Sequence, residues 1–210
     1  MKDIGEYVIS ENIRVSFHPG SFNVLASENN HVVEKTIDEL NKHAEIFDLM
    51  GIPANHYYPI NIHVSTTKPN HEEAMQRFCR NYQRLSDTCK ARLTVENDDS
   101  ENRYSVKMLY AGVHLKIGIP IVFDQLHFMC GPQDQTNQEA LELALSTWNG
   151  ITPLTHMSSS KLIEVAGVRR SAHADFIYEE IPTFGNKFDT ELECKQKDLA
   201  ALRYFEKYQK

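Results

Sequence analysis

Short apolar runs alternate along the chain with longer segments in which apolar residues recur on one face. The short runs are rich in β-branched and aliphatic residues and are bounded by Gly, Pro or Asn, a pattern typical of buried strands. On this basis six strands are predicted, at residues 13–17, 60–65, 92–95, 119–123, 154–157 and, with a weaker pattern, 190–194.

Helical spacing dominates the longer segments. Apolar residues from Val33 to Phe47 step by three and four positions and form one stripe, which predicts an amphipathic helix. Asn70 and Thr136 each precede a glutamate by three residues, a spacing typical of helix N-caps. Two further helices are predicted at 106–116, ending at Gly118, and at 197–208.

Strands that alternate with helices predict a parallel sheet covered by helices, as either an open doubly wound sheet or a (β/α) barrel. No G-x-G-x-x-G or Walker loop is present, so the nucleotide-binding open sheet has no support. A complete barrel takes about 250 residues and eight strands. Six strands in 210 residues fall two short of a complete barrel, so the pattern alone predicts a single α/β domain over 1–210 and leaves both closures open.

Composition removes several functional classes. The 22 basic and 29 acidic residues give a net charge of −7, which excludes a generally polybasic nucleic-acid binder but leaves room for a local basic groove. No apolar run approaches the roughly 18 residues of a membrane span, and none near Met1 has signal-peptide length, so we expect an intracellular protein. Four cysteines without a C-x-x-C pair indicate neither a zinc knuckle nor a disulfide framework.

Side chains that bind metals lie in or directly after every predicted strand. In parallel α/β folds the carboxyl ends of the strands converge on one crevice, where active sites lie. One such side chain alone would more often be structural. Seven from six strands are expected to share a small volume: His18, His63, Glu96, Asp124, His127, His156 and Glu193.

Such crowding predicts bound metal. Carboxylates and imidazoles packed together without counter-charge would repel one another and lose hydration, and divalent ions remove both problems. Mixed imidazole and carboxylate ligands suit Zn, Mn or Fe better than Ca or Mg. Seven ligands exceed the needs of one ion, so two or three are expected. Clusters of this kind bind phosphodiesters and generate hydroxide near neutral pH.

Other polar residues near these strands are expected to have ordinary structural roles. Asp98 and Asp99 are predicted to be helix caps or turn formers. The histidines in polar or helical contexts are predicted to lie on the surface: His31, His56, His71 and His114.

Taken together, seven short motifs resemble the UV-damage endonuclease family in order and spacing, from Arg14 to Leu202. The motifs are His18-Pro19-Gly20, Asn61-x-His63-Val64, Leu93-x-x-Glu96-Asn97-Asp98-Asp99, Val122-Phe123-Asp124-x-x-His127, His156-x-Ser158, His173-Ala174-Asp175 and Glu193-x-Lys195-x-Lys197-Asp198. The resemblance implies an α/β fold of TIM-barrel-like (β/α) repeats, related to endonuclease IV, in which about six strands form an incomplete barrel. It also implies a trinuclear, manganese-containing site. It implies an enzyme of DNA repair that nicks double-stranded DNA immediately 5′ of UV photoproducts.

The same resemblance implies which residues hold each ion. His18, His63 and Glu96 would bind the first. The second would take Glu96 as a bridging ligand with Asp124, His156 and Glu193, and the third would take His127 and His173. The residues implied in catalysis are Glu96, Asp124 and Glu193.

Three features depart from the family pattern. Ser21 and Phe22 replace a Gln-Tyr pair that pushes into the duplex, although Phe22 is still an apolar side chain of the kind that wedges between bases. Leu154 replaces a lysine that the family often has. Family members also begin roughly two βα units earlier. We therefore expect the open barrel edges to be covered by residues 1–12, by the C-terminal helix or by a second chain, in a homo-oligomer or with a partner.

Basic residues near the fifth and sixth motifs are candidate phosphate contacts, namely Lys161, Arg169 and Arg170. Three alternatives to a UV-damage endonuclease stay open. A sugar isomerase or epimerase would place one metal on Glu96, Asp124, His156 and Glu193, but it would have no use for the histidines at 18, 63 and 173. An abasic-site endonuclease would share the cluster. A non-catalytic protein that binds metal or damaged DNA is the third.

Overall fold

The computed structural model describes residues 1–208, in which five parallel strands pair in chain order and form a curled half-barrel. The TIM-barrel-like prediction is thereby confirmed. The strands are β1 (Ile60–Ile62), β2 (Leu93–Glu96), β3 (Ile121–Asp124), β4 (Leu154–Met157) and β5 (Asp189–Leu192). Every residue of β1 to β4 is buried, as expected for a parallel sheet covered by helices, whereas β5 is half-buried throughout.

Helices cover the outer face of the sheet. They are α1 (Lys2–Ser10), α2 (Asn30–Met50), α3 (His71–Tyr82), α4 (Asp87–Lys90), α5 (Val106–Leu109), α6 (Leu115–Ile117), α7 (Gln125–Cys130), α8 (Asn137–Ser146) and α9 (Lys197–Tyr208). A π-helical turn (Tyr110–His114) joins α5 to α6, so the helix predicted at 106–116 is one helical stretch, and it ends at Gly118 with φ of 74°.

Local sequence signals define two helix starts. The Asn70 side chain accepts a hydrogen bond from the Glu73 backbone N–H (2.9 Å) and caps α3. Thr136 and Glu139 form a reciprocal capping box at the start of α8, in which the Glu139 carboxylate accepts from the Thr136 backbone N–H (2.8 Å). These bonds satisfy backbone donors that have no partner inside the helix.

The first predicted strand, 13–17, is an extended segment that joins β1 at one point only among the described residues. Its backbone forms a parallel bridge between Phe17 and Ile60. Its contacts with β5 are made by side chains: Arg14 pairs with Asp189 (2.9 Å) and Ser16 Oγ donates to Glu191 (2.8 Å). We call residues 13–17 the closing segment, because it connects the first and last strands of the half-barrel.

The two terminal helices pack at opposite ends of this arrangement. Helix α1 lies so close to α2 that a side chain at Gly5 would collide with the Met50 carbonyl oxygen. Helix α9 buries Ala200 and Tyr204 in a small cluster behind β4 and β5 that includes Met157. None of the helices over residues 1–208 is long and apolar enough to cross a membrane.

Candidate metal centre

The carboxyl ends of the five strands bring the candidate ligands to one place. Glu96 and Asp124 are the last residues of β2 and β3, and His156 is the third residue of β4. Asp124 and His156 are also direct partners in the β3–β4 register. His63 and Glu193 directly follow β1 and β5, so their positions depend on the ends of the same sheet.

Glu96 is the centre of the cluster, and its side chain is fully buried. One carboxylate oxygen, Oε1, lies 2.9 Å from His127 Nδ1 and 3.7 Å from His63 Nε2. The other, Oε2, lies 3.2 Å from His156 Nδ1 and 3.7 Å from His18 Nδ1. One carboxylate thus faces four imidazoles from four different segments of the chain.

Three groups of side chains each offer ligand atoms that lie within 4.8 Å of one another. They are His18 with His63 and Glu96, His18 with His156 and Glu193, and Glu96 with Asp124 and His127. The first has the composition that the family resemblance implies for one ion. The structure therefore brings seven of the eight predicted ligands into three overlapping sets.

His173 lies at the border of this cluster. Its Nδ1 is 2.9 Å from the Glu193 carbonyl oxygen and 3.7 Å from the Glu193 carboxylate. Its ring centroid is 6.3 Å from that of His127. The bond to the carbonyl oxygen fixes the ring orientation and leaves Nε2 as the nitrogen available to a ligand.

In the metal-free cluster, the electrostatic environment raises the pKa of His156 and Glu193 and lowers that of Glu96. Burial alone would raise the pKa of Glu96, but the imidazoles of His156, His63 and His127 outweigh it and hold that pKa well below its usual range. Burial lowers the pKa of His156, but Glu96 and Glu193 more than reverse this and raise it to about 10. Burial raises the pKa of Glu193 to about 7. A metal ion that bound to these side chains would therefore displace protons from His156 and Glu193.

Several buried ligand atoms have no hydrogen-bond partner, which tests whether the site suits a metal. These atoms include Glu96 Oε1, Asp124 Oδ2 and His156 Nδ1. Although His127 Nδ1 is near Glu96 Oε1, it makes its hydrogen bond to the Asn97 carbonyl oxygen (3.0 Å). Buried polar atoms without partners are costly, and divalent cations bind such oxygen and nitrogen donors. The donor set therefore fits a divalent metal centre.

Buried polar residues surround the candidate ligands. Asn61 and Asn97 belong to the family motifs, but no role was predicted for them or for Thr94. Asn61 donates to the Glu96 carboxylate, and Thr94 Oγ1 in turn donates to Asn61 Oδ1 (2.9 Å). Asn97 accepts from the Asp124 backbone N–H (2.9 Å) and donates to the Asp124 carbonyl oxygen (3.0 Å). Their signal was the presence of Asn and Thr within apolar strands, where an unpaired polar group is unfavourable.

Asp98 differs from its predicted role as a cap or turn former. Its carboxylate is buried and lies 3.5 Å from His63 Nδ1, and burial raises its pKa. Carboxylates beside a ligating histidine commonly orient the ring, so Asp98 belongs to the surroundings of the centre.

The candidate DNA contacts lie on the surface. Ser21 and Phe22 are both exposed, Phe22 by 75%, and the Phe22 ring lies over Gly20. Arg169 and Arg170 are also exposed, and Arg170 borders an open cavity of about 360 Å³. Lys161 is instead engaged by two carboxylates, at 2.5 Å from Asp175 and 2.6 Å from Glu164, and is not free for a phosphate.

Comparisons with known proteins agree with the geometry. The model of the family described as UV-endonuclease UvdE matches residues 1–210. A UV DNA damage endonuclease of Bacillus cereus (strain G9842) is 34% identical over 96% of this chain, which spans only 64% of that relative's length. The crystal structure of SacUVDE is 33% identical with a TM-score of 0.85, covering 98% of this chain and 68% of that one. Endonuclease IV from Thermus thermophilus shares the fold, with a TM-score of 0.66 at 17% identity, over 98% and 78% of the respective chains.

Proposed function

Because the chain belongs to the UV-endonuclease UvdE family, we propose that it is a metal-dependent DNA repair endonuclease that hydrolyses the phosphodiester 5′ of UV photoproducts. The observation that carries this proposal is the buried Glu96 carboxylate, which faces four imidazoles at the carboxyl ends of the strands. Its double-stranded, damaged DNA substrate implies an intracellular location.

The proposed cluster holds two or three divalent ions. We assign His18, His63 and Glu96 to the first ion, Glu96, Asp124, His156 and Glu193 to the second, and His127 and His173 to the third. Manganese is the proposed metal, and the mixed donors also suit zinc or iron. Bound divalent ions lower the pKa of water and neutralise charge on a phosphodiester.

Catalytic work by the chain itself is proposed for three carboxylates. Glu96 is an anion at the centre of the cluster and fixes the surrounding imidazoles by charge. Asp124 Oδ1 accepts a hydrogen bond from the His127 backbone N–H (2.6 Å) and thereby caps α7. The same bond fixes the relative positions of two proposed ligands, Asp124 and His127. Glu193 lies 3.3 Å from His156 Nδ1 and completes the set on the β5 side.

DNA binding is proposed to use the exposed residues around the site. Phe22 would stack on or wedge between bases at the lesion, with Ser21 beside it. Arg169 and Arg170 would contact phosphates, which position a duplex without reading its sequence. These four residues provide local contacts on a chain whose net charge is −7.

One alternative has an observation in its favour. Ser21 is too short to reach into a duplex as a glutamine would, so an abasic-site endonuclease with the same cluster is the second candidate. A single-metal epimerase is less favoured, because His18 and His63 also lie against Glu96. Metal content per chain separates these classes: one ion supports the epimerase, and two or three support a nuclease.

A second chain is proposed to cover the open side of the half-barrel, either as another copy or as a different partner. The half-buried β5 and the exposed apolar residues Leu199, Leu202 and Phe205 on α9 support this proposal. Light scattering should then give more than the monomer mass, alone or with the partner. A monomeric mass, together with no binding of a dye that reports exposed apolar surface, would contradict the proposal.

The decisive assay is nicking of supercoiled plasmid, UV-irradiated or not, in the presence of Mn²⁺. We expect UV-dependent nicking that Glu96→Gln abolishes, because the variant loses the central anion. Glu142→Gln, the same change at an exposed position on α8, should keep wild-type activity. Absence of nicking by protein that holds two or three ions, or equal nicking of both plasmids, would contradict the proposal.

A further inference from the structure

His156 has two ring nitrogens that face different partners. The residue is 1% exposed and lies on β4. Its Nδ1 lies 3.2 Å from Glu96 Oε2 and 3.3 Å from Glu193 Oε1, both proposed metal ligands. Its Nε2 faces Glu191 Oε2 at 3.7 Å, and neither nitrogen makes a hydrogen bond within residues 1–208.

Glu191 is well placed to serve that second nitrogen. It is the direct partner of His156 in the β4–β5 register. It lies two residues before Glu193, and alternate residues of a strand share a face. Its carboxylate is held by Ser16 Oγ, which donates to Oε2 at 2.8 Å. The Glu191 side chain is 40% exposed, and this hydrogen bond anchors it to the closing segment.

Coordination chemistry gives this arrangement a purpose. A histidine that binds a metal through one nitrogen is neutral and carries its hydrogen on the other, which usually needs a carboxylate or carbonyl acceptor. If Nδ1 binds metal beside Glu96 and Glu193, Nε2 carries the hydrogen. A distance of 3.7 Å is too long for a hydrogen bond, but a shift of about 0.7 Å by the partly exposed Glu191 side chain would form one.

We propose that Glu191 is a positioning residue that accepts the Nε2 hydrogen of His156 when Nδ1 binds metal, and that Ser16 holds Glu191 in place for this role. The proposal rests on the proposed metal centre and involves no contact with DNA. It gives the closing segment a second role, because the segment that connects β1 to β5 also fixes the orientation of a buried ligand.

Metal affinity of the full chain tests the proposal without DNA. Zn²⁺ would be titrated against a competing chelator into wild type, Glu191→Ala, Glu191→Gln and Ser16→Ala. We expect Glu191→Ala to weaken the affinity by about 10- to 100-fold, as is typical when such a carboxylate is removed. Glu191→Gln should recover most of this loss because its amide oxygen still accepts a hydrogen bond, and Ser16→Ala should have an intermediate effect.

Asp189→Asn is the matched control. Asp189 lies on the same strand and also contacts the closing segment, through Arg14, but it does not face His156. Its variant should bind Zn²⁺ as wild type does. The ¹⁵N NMR spectrum of the zinc-loaded protein should show a protected Nε2–H of His156 in wild type and Glu191→Gln, and lose that protection in Glu191→Ala.

Three results would overturn the proposal: wild-type affinity in Glu191→Ala, an equal loss in Glu191→Gln, or an equal loss in Asp189→Asn. Circular dichroism melting checks that each variant is folded. If Glu191→Ala is unfolded, the affinities of the two single variants Glu191→Gln and Ser16→Ala test the proposal in its place. Because the readouts are affinity and a ring signal, failure of this proposal is distinguishable from failure to nick DNA.

Discussion

Burial changes the titration of His56, an imidazole outside the metal centre. The sequence predicted a surface residue, but the His56 side chain is largely enclosed and its buried Nε2 has no hydrogen-bond partner among the described residues. Burial lowers the pKa of His56 to about 4, because the charged ring would lose its hydration. The folded protein therefore resists protonation that the unfolded chain accepts.

This shift predicts a pH-dependent loss of stability. As the pH falls from 6.5, the unfolded chain protonates at His56 and the folded protein does not until about pH 4. The free energy of unfolding should therefore decrease over this window, by up to about 3 kcal/mol from this residue. Urea unfolding of metal-free protein at several pH values should show a smaller decrease in His56→Gln. The exposed His31→Gln is the control, and an unchanged slope in His56→Gln would contradict the assignment.

The grouping of the candidate ligands could be predicted from the sequence, whereas the residues that support them could not. His63, Glu96 and Asp124 stood out because they are metal-binding types next to short apolar runs, whose carboxyl ends meet in any parallel sheet. Asn61 and Glu191 did not, because their roles depend on which residues face each other across strands. That information lies in the register and is not carried by local spacing.

At the scale of elements, the residues next to a helix end determine where the helix begins. Thr136→Ala removes one side of the capping box at the start of α8 and should lower the free energy of unfolding by about 1 kcal/mol, since a backbone N–H loses its partner. Ser146→Ala changes a hydroxyl at the other end of the same helix and should cost less than about 0.5 kcal/mol. Urea unfolding measures both, and equal losses would exclude a specific role for the cap.

Strand prediction depends on partners that are distant in sequence. The apolar run at 154–157 matches β4 residue for residue, because this strand is paired and covered on all sides. The run at 13–17 has the same apolar character, yet it joins the sheet by one bridge. On its other side, the segment 13–17 contacts β5 through the side chains of Arg14 and Ser16 and forms no backbone ladder with it among the described residues.

At the scale of the whole molecule, the alternation of strands and helices predicted a parallel α/β sheet, and the family resemblance indicated its TIM-barrel-like form. Neither could predict how an incomplete barrel closes, because closure depends on contacts between the two ends of the chain. The closing segment links β1 to β5 through one backbone bridge and side-chain contacts, and it does so beside the candidate metal centre. The chain spans 64% of the length of its Bacillus relative.

Mapping the cut on a DNA duplex with one defined UV photoproduct tests the central claim most directly. The duplex would be labelled at the 5′ end of the damaged strand and incubated with manganese-loaded protein. The account predicts a single product that ends immediately 5′ of the lesion with a 3′-hydroxyl, and no cut in the undamaged duplex or after metal removal. An intact lesion duplex with protein shown to hold two or three ions, or cleavage of an abasic duplex alone, would contradict it.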